Sequence, residues 1–383
     1  MTSMKVVFLL TAHAADDERV RHHQIPSLRS RGAEVTVVAS RAGLDPDASD
    51  IVCEAQPMRA RQVRHIAALL EPLHPDVIVG DTPMALRSAL LYRRQQKVNC
   101  RILYDITEWY PSKKNVRNLS AIAKFFKSVA MIGLNVWTNF FTDGFIFGET
   151  YKARPFRRLF PRRPFVFTSY YPDLQFINRQ VPRVLNNDLR LFYSGSLTEE
   201  KGFFRVLEVA KMVAARHPEL SVLLKVLSSD TITSAIKTPS NLRVEVSPYV
   251  PFQQFCQISA EHDLFLDLRS TDVENQRCLP IKLFYFMAMA RPVIYSDLKA
   301  IRQGCPEIMQ FGHLVDPYKI SKVADCVDRY LCDEDLYQKH CVAARQFAER
   351  KYNWEAIEAD FVRFILQNEA AVIPEGGNNN QYE

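Results

Sequence analysis

Short apolar runs alternate with helix-length amphipathic segments along almost the whole of this chain. That alternation constrains the fold more than any other feature. A strand that is apolar on both faces needs helices packed on both sides of its sheet, and that arrangement is a parallel one. Lys5–Thr11 reads as a first strand, followed by a helical stretch that reaches Arg29 and stops at Gly32. Glu34–Ala39, Val77–Val79, Arg101–Tyr104 and Phe145–Phe147 read as further buried strands bounded by polar or turn residues. A polar, proline-containing stretch from Tyr171 to Asp188 breaks the rhythm and reads as a linker.

The pattern then restarts. Strand Leu189–Tyr193, helix Phe203–Arg216, strands Ser221–Val226, Leu242–Val246 and Leu264–Leu268, helix Ile281–Met289, and strands Val293–Tyr295 and His313–Val315 are expected in turn. Three helical stretches follow, the last from Trp354 to about Gln367. The fold class expected is α/β: two doubly wound, Rossmann-like domains with a cleft between them. The expected boundaries are 1–172, a linker at 173–188, a second domain at 189–353, a helix at 354–369 crossing back to the first domain, and a disordered Gly/Asn-rich tail at 370–383. Ligands of such sheets sit beyond the carboxyl ends of the strands, so function is sought in the loops that follow them.

Composition narrows the class. With 383 residues, 47% hydrophobic and 24% charged, the chain is no disordered tail, collagen-like rod or disulfide-stapled miniprotein. Its eight cysteines form no C-x-x-C pair, so reduced thiols in a cytoplasmic compartment are expected, with no metal. The opening apolar run lacks a small-residue cleavage site and leads straight into Asp16, Asp17, Glu18 and Arg19, so it reads as a strand rather than a signal peptide. No stretch has the roughly 18 consecutive apolar residues of a spanning helix, and a soluble or peripheral protein is expected.

Charge is unevenly placed. Between Trp109 and Pro172 stand eleven basic residues, among them Lys113, Lys114, Arg117, Lys124 and Lys127, against only Asp143 and Glu149. That segment carries +9 of a net +6, leaving −3 for the remainder. Phe125, Phe126 and Trp137 are interleaved with the cations. A basic, aromatic amphipathic helix is what an anionic membrane surface attracts, although a solvated core helix has the same composition. No nucleic-acid reader motif accompanies the patch, so no nucleic-acid partner is expected.

Two segments carry the chemistry. Tyr193-Ser194-Gly195-Ser196-Leu197 followed by Lys201-Gly202 ends a strand in a glycine turn and opens a long helix. Backbone can approach an anion closely there, and the helix start adds partial positive charge, but strand–Gly–helix connections also arise from packing alone. The second segment runs from Leu279 to Ile294. Pro280 opens a helix whose first turn holds Lys282, against the helix dipole, which points to a ligand for that lysine.

In this order and spacing the two segments resemble the GT-B glycosyltransferases of the retaining family-4 (group 1) type. Those carry G-x-x-x-x-x-K-G early in the second domain and P-x-K-x-x-E-Y-x-A-x-G-x-P-V-I later. Tyr104-Asp105-Ile106-Thr107-Glu108-Trp109-Tyr110-Pro111 resembles the family's Y-D-x-H-E-x-Y-P, Gly312-His313-Leu314-Val315-Asp316-Pro317 its G-x-L-V-D-P, and Asp16–Val20 with Gly32–Val35 its opening motifs. Tyr352-Asn353-Trp354-Glu355 is similar to the start of its final helix.

The resemblance implies a nucleotide-sugar donor in the second domain, a saccharide or lipid-linked saccharide acceptor in the first, and transfer with retention without metal. Lys201 and Lys282 would neutralise the departing diphosphate. Gly195, Ser196, Gly202, Leu283 and Tyr285 would line the donor site. Tyr285 stands where the family has a ribose-gripping glutamate, Arg277 where its partner would be, Ala290 for a glycine, Ser196 for an arginine, and Gly80 for a histidine. Glu274 is the candidate substitute for the lost carboxylate. On the acceptor side His13, after the first strand, and the carboxylates Asp105 and Glu108 are the candidate catalytic residues, each with a bland alternative: an ordinary loop histidine, and a helix cap. Asp17 and Arg19 read as a local ion pair. The expected activity is glycosyl transfer in surface polysaccharide assembly, at the cytoplasmic face of a membrane. A non-catalytic scaffold and a sugar-nucleotide epimerase are the alternatives.

Overall fold

The computed structural model describes residues 3–40, 51–53, 62–107, 110, 116, 119–177, 181–182, 184–185, 187–231 and 236–367. They fall into two compact units, Met1–Ser169 with Ile357–Glu383, and Tyr170–Ala356.

The first unit opens with β1 (Lys5–Leu10), a π-wound turn at Arg19–Gln24 that runs into α1 (Ile25–Arg29), and β2 (Glu34–Ala39). The expected helix to Arg29 is thus short and wide at its start. Pro26 has no N–H for the ladder there, and the Ser27 hydroxyl donates to the His23 carbonyl at 2.8 Å. β3 (Ile51–Cys53), α2 (Val63–Leu70), β4 (Val77–Gly80), α3 (Pro83–Gln96) and β5 (Arg101–Ile106) follow. Then come α4 (Ala121–Phe140), β6 (Gly144–Phe147), α5 (Thr150–Leu159) and β7 (Phe165–Phe167). The seven strands lie in the order β3-β2-β1-β4-β5-β6-β7 and every pairing is parallel. The sheet interior is apolar: Phe8, Leu9, Ile78, Ile102, Leu103 and Ile146 are fully buried.

The second unit holds β8 (Asp188–Ser194), α6 (Phe203–Arg216), β9 (Ser221–Leu227), β10 (Leu242–Ser247) and α7 (Phe252–Ala260). β11 (Leu264–Asp267), α8 (Ile281–Ala288), β12 (Val293–Ser296), α9 (Lys299–Gly304), β13 (Gly312–Val315), α10 (Ile320–Cys332) and α11 (Glu334–Arg350) complete it. Its six parallel strands run β10-β9-β8-β11-β12-β13. The stretch read as a linker belongs to this unit. Ile177 and Leu185 are buried, Leu185 in the unit's main core, and the Arg345 guanidinium donates to the Ile177 carbonyl at 2.9 Å. The body of α12 (Glu355–Gln367) counts with the first unit, where Arg101 donates to the carbonyls of Ile365 and Phe364 at 2.8 and 3.1 Å. Residues 370–383 lie outside the described residues.

The two sheets share one winding. Strand order reverses once in each, between β1 and β4 and between β8 and β11. At such a reversal the connections leave on opposite faces and open a crevice beyond the strand ends. Each unit therefore has one place where a ligand site is favoured by topology.

Candidate functional site

At the reversal in the first unit, β1 runs into Thr11-Ala12-His13 and β4 runs into Asp81-Thr82. The Asp81 side chain has no exposed surface and binds the whole of the other loop. One carboxylate oxygen accepts from the Thr11 N–H (2.9 Å) and hydroxyl (3.0 Å). The other accepts from Ala12 N–H (2.8 Å), His13 N–H (3.3 Å) and His13 Nδ1 (3.0 Å). The Thr11 hydroxyl also bonds that of Thr82, which caps α3 by accepting from Ala85 N–H at 3.1 Å. Burial alone would raise the Asp81 carboxyl, but His13 and the backbone donors outweigh it and hold it below the usual range. Burial likewise opposes the His13 imidazolium, and the Asp81 hydrogen bond with the charges of Asp17 and Asp81 reverses that, raising its pKa above 6.5.

A carboxylate only accepts, so the neutral imidazole donates from Nδ1 and presents its lone pair at Nε2. His13 is 23% exposed and can reach a ligand. The arrangement can orient a hydroxyl and receive its proton. Sequence reasoning singled out His13 but not Asp81.

The remaining acidic and basic candidates of this unit have other roles. Asp105 is within β5, not in a loop beyond it, and its buried carboxylate meets the buried Arg19 guanidinium at 2.6 Å. Burial pushes that carboxyl up, with Arg19 pulling against it. The Asp17–Arg19 pair is correspondingly loose, at 4.0 Å. Asp105 is therefore a counter-ion holding Arg19 under the loop rather than a group offered to an acceptor. Lys152, one of the eleven cations, is buried on Glu149 (2.9 Å) and the Thr107 carbonyl. Glu108, Lys113, Lys114 and Arg117 lie outside the described residues. Lys124, Lys127 and Trp137 are exposed on α4.

At the reversal in the second unit, β8 ends at Ser194 and β11 at Asp267. The loop from Gly195 to Gly202 is closed on itself more than an open anion cradle would be. Gly195 N–H donates to Leu227 (3.0 Å), Thr198 N–H to Ser196 (2.9 Å) and Gly202 N–H to Thr198 (3.1 Å). Leu197 N–H donates to the Asp230 carboxylate at 2.7 Å, and the Tyr193 hydroxyl to the carbonyls of Ser196 and Lys201 at 2.8 and 3.2 Å. Charge at this rim must come chiefly from side chains. The Lys282 ammonium, from the first turn of α8, donates to the Ser194 carbonyl where the loop begins. Lys201, at the loop's far end, pairs with Glu200 at 3.3 Å with both side chains over 40% exposed, a pairing too weak to keep it from an anion.

Beneath them lies a pair that sequence reasoning missed. The Arg269 guanidinium grips the buried Asp267 carboxylate through two hydrogen bonds, one of 2.8 Å, and is itself only 13% exposed. Burial raises the Asp267 carboxyl, but Arg269 and then Lys282 overcome it, so it stays ionised. Two opposite charges straddling the end of an apolar strand, in Leu264-Phe265-Leu266-Asp267-Leu268-Arg269, were the available signal.

The glycine of Lys201-Gly202 has a packing explanation. Its φ is +84°, and a Cβ there would lie 2.2 Å from the backbone carbonyl carbon and oxygen of Leu268. Ser270 N–H donates to the Glu200 carbonyl at 2.8 Å, and Arg205 Nε to the Leu268 carbonyl at 2.7 Å. The two loops at the reversal are thus pressed together.

Leu283 and Tyr285, expected at the donor, are core residues: both are buried, and the Tyr285 ring sits 5.4 Å from Phe252 and 6.4 Å from Phe255. Glu274 is exposed in the loop after β11, with its N–H on Asp272 at 2.9 Å. Among the described residues no group of three or more His, Cys, Asp or Glu could hold a metal ion.

No protein-family model matches this sequence, and no curated protein does. Solved structures do. Sucrose-phosphate synthase from Thermosynechococcus elongatus matches with a TM-score of 0.67 at 15% identity, over 95% of this chain and 99% of that one. WaaG, a glycosyltransferase involved in lipopolysaccharide biosynthesis, matches with a TM-score of 0.64 at 14% identity, over 94% and 99%. HepE from Anabaena, solved in complex with UDP, matches with a TM-score of 0.64 at 11% identity, over 93% and 98%. These matches extend over nearly the full length of each partner, and the fold is the GT-B fold that the ordered motifs implied.

Proposed function

We propose that this chain is a glycosyltransferase that moves a sugar from a nucleotide-sugar donor, bound at the β8/β11 reversal, to a saccharide acceptor bound at the β1/β4 reversal. The observation that carries the reading is the charge at the first of these places, where Lys282 and Lys201 stand at the two ends of one loop. The UDP bound to HepE supports a nucleotide donor, and the part WaaG plays in lipopolysaccharide biosynthesis supports a role in surface polysaccharide assembly.

In this reading the bond between the anomeric carbon and the diphosphate oxygen breaks as the acceptor oxygen bonds to that carbon from the same face. Lys201 and Lys282 stabilise charge on the departing diphosphate, whose oxygen takes the acceptor's proton, and the same-face attack gives retention. His13 Nε2, fixed through Asp81, orients the acceptor hydroxyl.

The test is a thermal-shift panel of UDP-, GDP-, ADP- and CMP-sugars, followed by turnover with the donor that raises the melting temperature. One donor base should stand out, and Lys201→Ala should lower kcat/KM at least 100-fold, about 3 kcal/mol, without changing the melting temperature. The rival reading, a non-catalytic scaffold, draws on Tyr285, a buried tyrosine standing where the resemblance puts a carboxylate. No shift with any nucleotide-sugar would favour the scaffold.

A further inference from the structure

We propose that α4 is a docking element that lies in the surface of a bilayer containing anionic phospholipid. Ile122, Phe125, Phe126, Val129, Ile132 and Trp137 are all 48% to 73% exposed, an unusual concentration of large apolar side chains on one helix. At 3.6 residues per turn they form one continuous stripe, with Lys124 and Lys127 on the opposite side. The helix contains no acidic residue, and of its twenty residues only Thr138 and Asn139 are buried. Its carboxyl end is tied to the unit: Val136 packs on the core, and Arg163 donates to the Phe140 carbonyl at 2.7 Å. The amino-terminal half stands clear.

Charge selects the occupant. Glu149 pairs with Lys152 and Asp143 with Arg93, and the described residues from Lys124 to Arg163, eight cations against two carboxylates, carry a net +6. Arg158 and Arg162 are exposed on either side of Leu159, itself 60% exposed. A second copy of the chain docked symmetrically on this face would bring those like charges together. An anionic bilayer accepts the apolar stripe and the cations at once. Among the described residues no helix is long and apolar enough to cross a membrane, so α4 lies along the surface rather than through it.

The claim rests on α4 and not on the transferase reading, and its test contains no nucleotide, so either can fail alone. The full chain is sedimented at low salt with vesicles of phosphatidylcholine, with and without phosphatidylglycerol. Binding is expected only when phosphatidylglycerol is present, and about tenfold weaker for the double variant Phe125→Glu/Phe126→Glu at an unchanged melting temperature. A blue shift of tryptophan emission on binding should be lost in Trp137→Phe while that variant still sediments. Absence of sedimentation, equal binding to both vesicles, or full binding by the double variant would overturn the proposal. So would a dimer in solution that the double variant converts to monomer.

Discussion

Asp81 does more than any other single residue to shape the acceptor-side loop. A fully buried carboxylate that takes three backbone N–H groups, a hydroxyl and an imidazole fixes three consecutive residues and the tautomer of the histidine among them. Because His13 titrates above its ordinary value, the imidazolium–carboxylate pair contributes fully to stability below pH 6.5. That contribution is lost as the pH rises through the elevated value. A neutral His13 is the form whose Nε2 lone pair can orient the acceptor hydroxyl, so a rate that depends on it should rise with pH over the same window. In Asp81→Asn the inflection should move down, kcat/KM should fall about 100-fold, and stability should drop by about 2 kcal/mol. His13→Gln should remove the inflection while leaving the fold. A pH–rate profile unchanged in both variants would refute a role for the dyad. The histidine was legible in the sequence because it follows a strand. Asp81 was not, since only the pairing of β1 with β4 brings it against a residue 68 positions away. Asp105 shows the reverse: a carboxylate that looks offered to a ligand is consumed by Arg19, a partner that no local spacing announces.

At the scale of elements, long periodic segments were easy to read and very short ones were not. The helix Phe203–Arg216 falls as the periodicity places it, whereas β3 and β7, three residues each, are too brief to show a period. The loops were hardest, because their shape depends on contacts made across the sheet. Gly202 is the clearest case, since its lack of a side chain is required by a neighbouring strand end rather than by an anion. Gly202→Ala should therefore destabilise the chain by about 3 kcal/mol or more through clash and a disfavoured positive φ, read as a fall in denaturant midpoint. A mild effect would mean that the 198–202 and 268–270 loops can separate. Ala290 tells a related story. It closes α8 at φ +58°, with Arg291 N–H reaching back to the Phe286 carbonyl at 3.3 Å, the turn in which helices favour glycine. The family's glycine at that position thus has a backbone reason, and the alanine here adopts the same conformation.

For the molecule as a whole, four buried histidines set the response to acid. Burial pushes His262, His313 and His340 down to about 4 and His23 to about 3. Between those values and 6.5 the unfolded chain binds protons that the folded chain refuses, so stability is complete above pH 6.5 and falls as the pH drops towards 4. His13 contributes in the opposite sense but is one against four. Melting temperatures should decline steadily below pH 6.5, and His313→Phe, which removes an Nε2 without a hydrogen-bond partner, should flatten part of the decline. A flat profile would show that these rings are charged in the fold.

The way α12 completes the first unit has a consequence for biosynthesis. Its Phe364 ring lies so near Gly144 that a Cβ there would stand 2.8 Å away, and Arg101 holds its last turn. On the ribosome, however, those partners emerge some two hundred residues apart in sequence. At 5–20 residues per second the first sheet waits about 10–40 s for its closing helix, while the second unit, contiguous from 170 to 356, has all of its chain in hand first. Translation stalled just short of α12 should therefore yield a nascent polypeptide with a protease-resistant second unit and a chaperone-dependent first one.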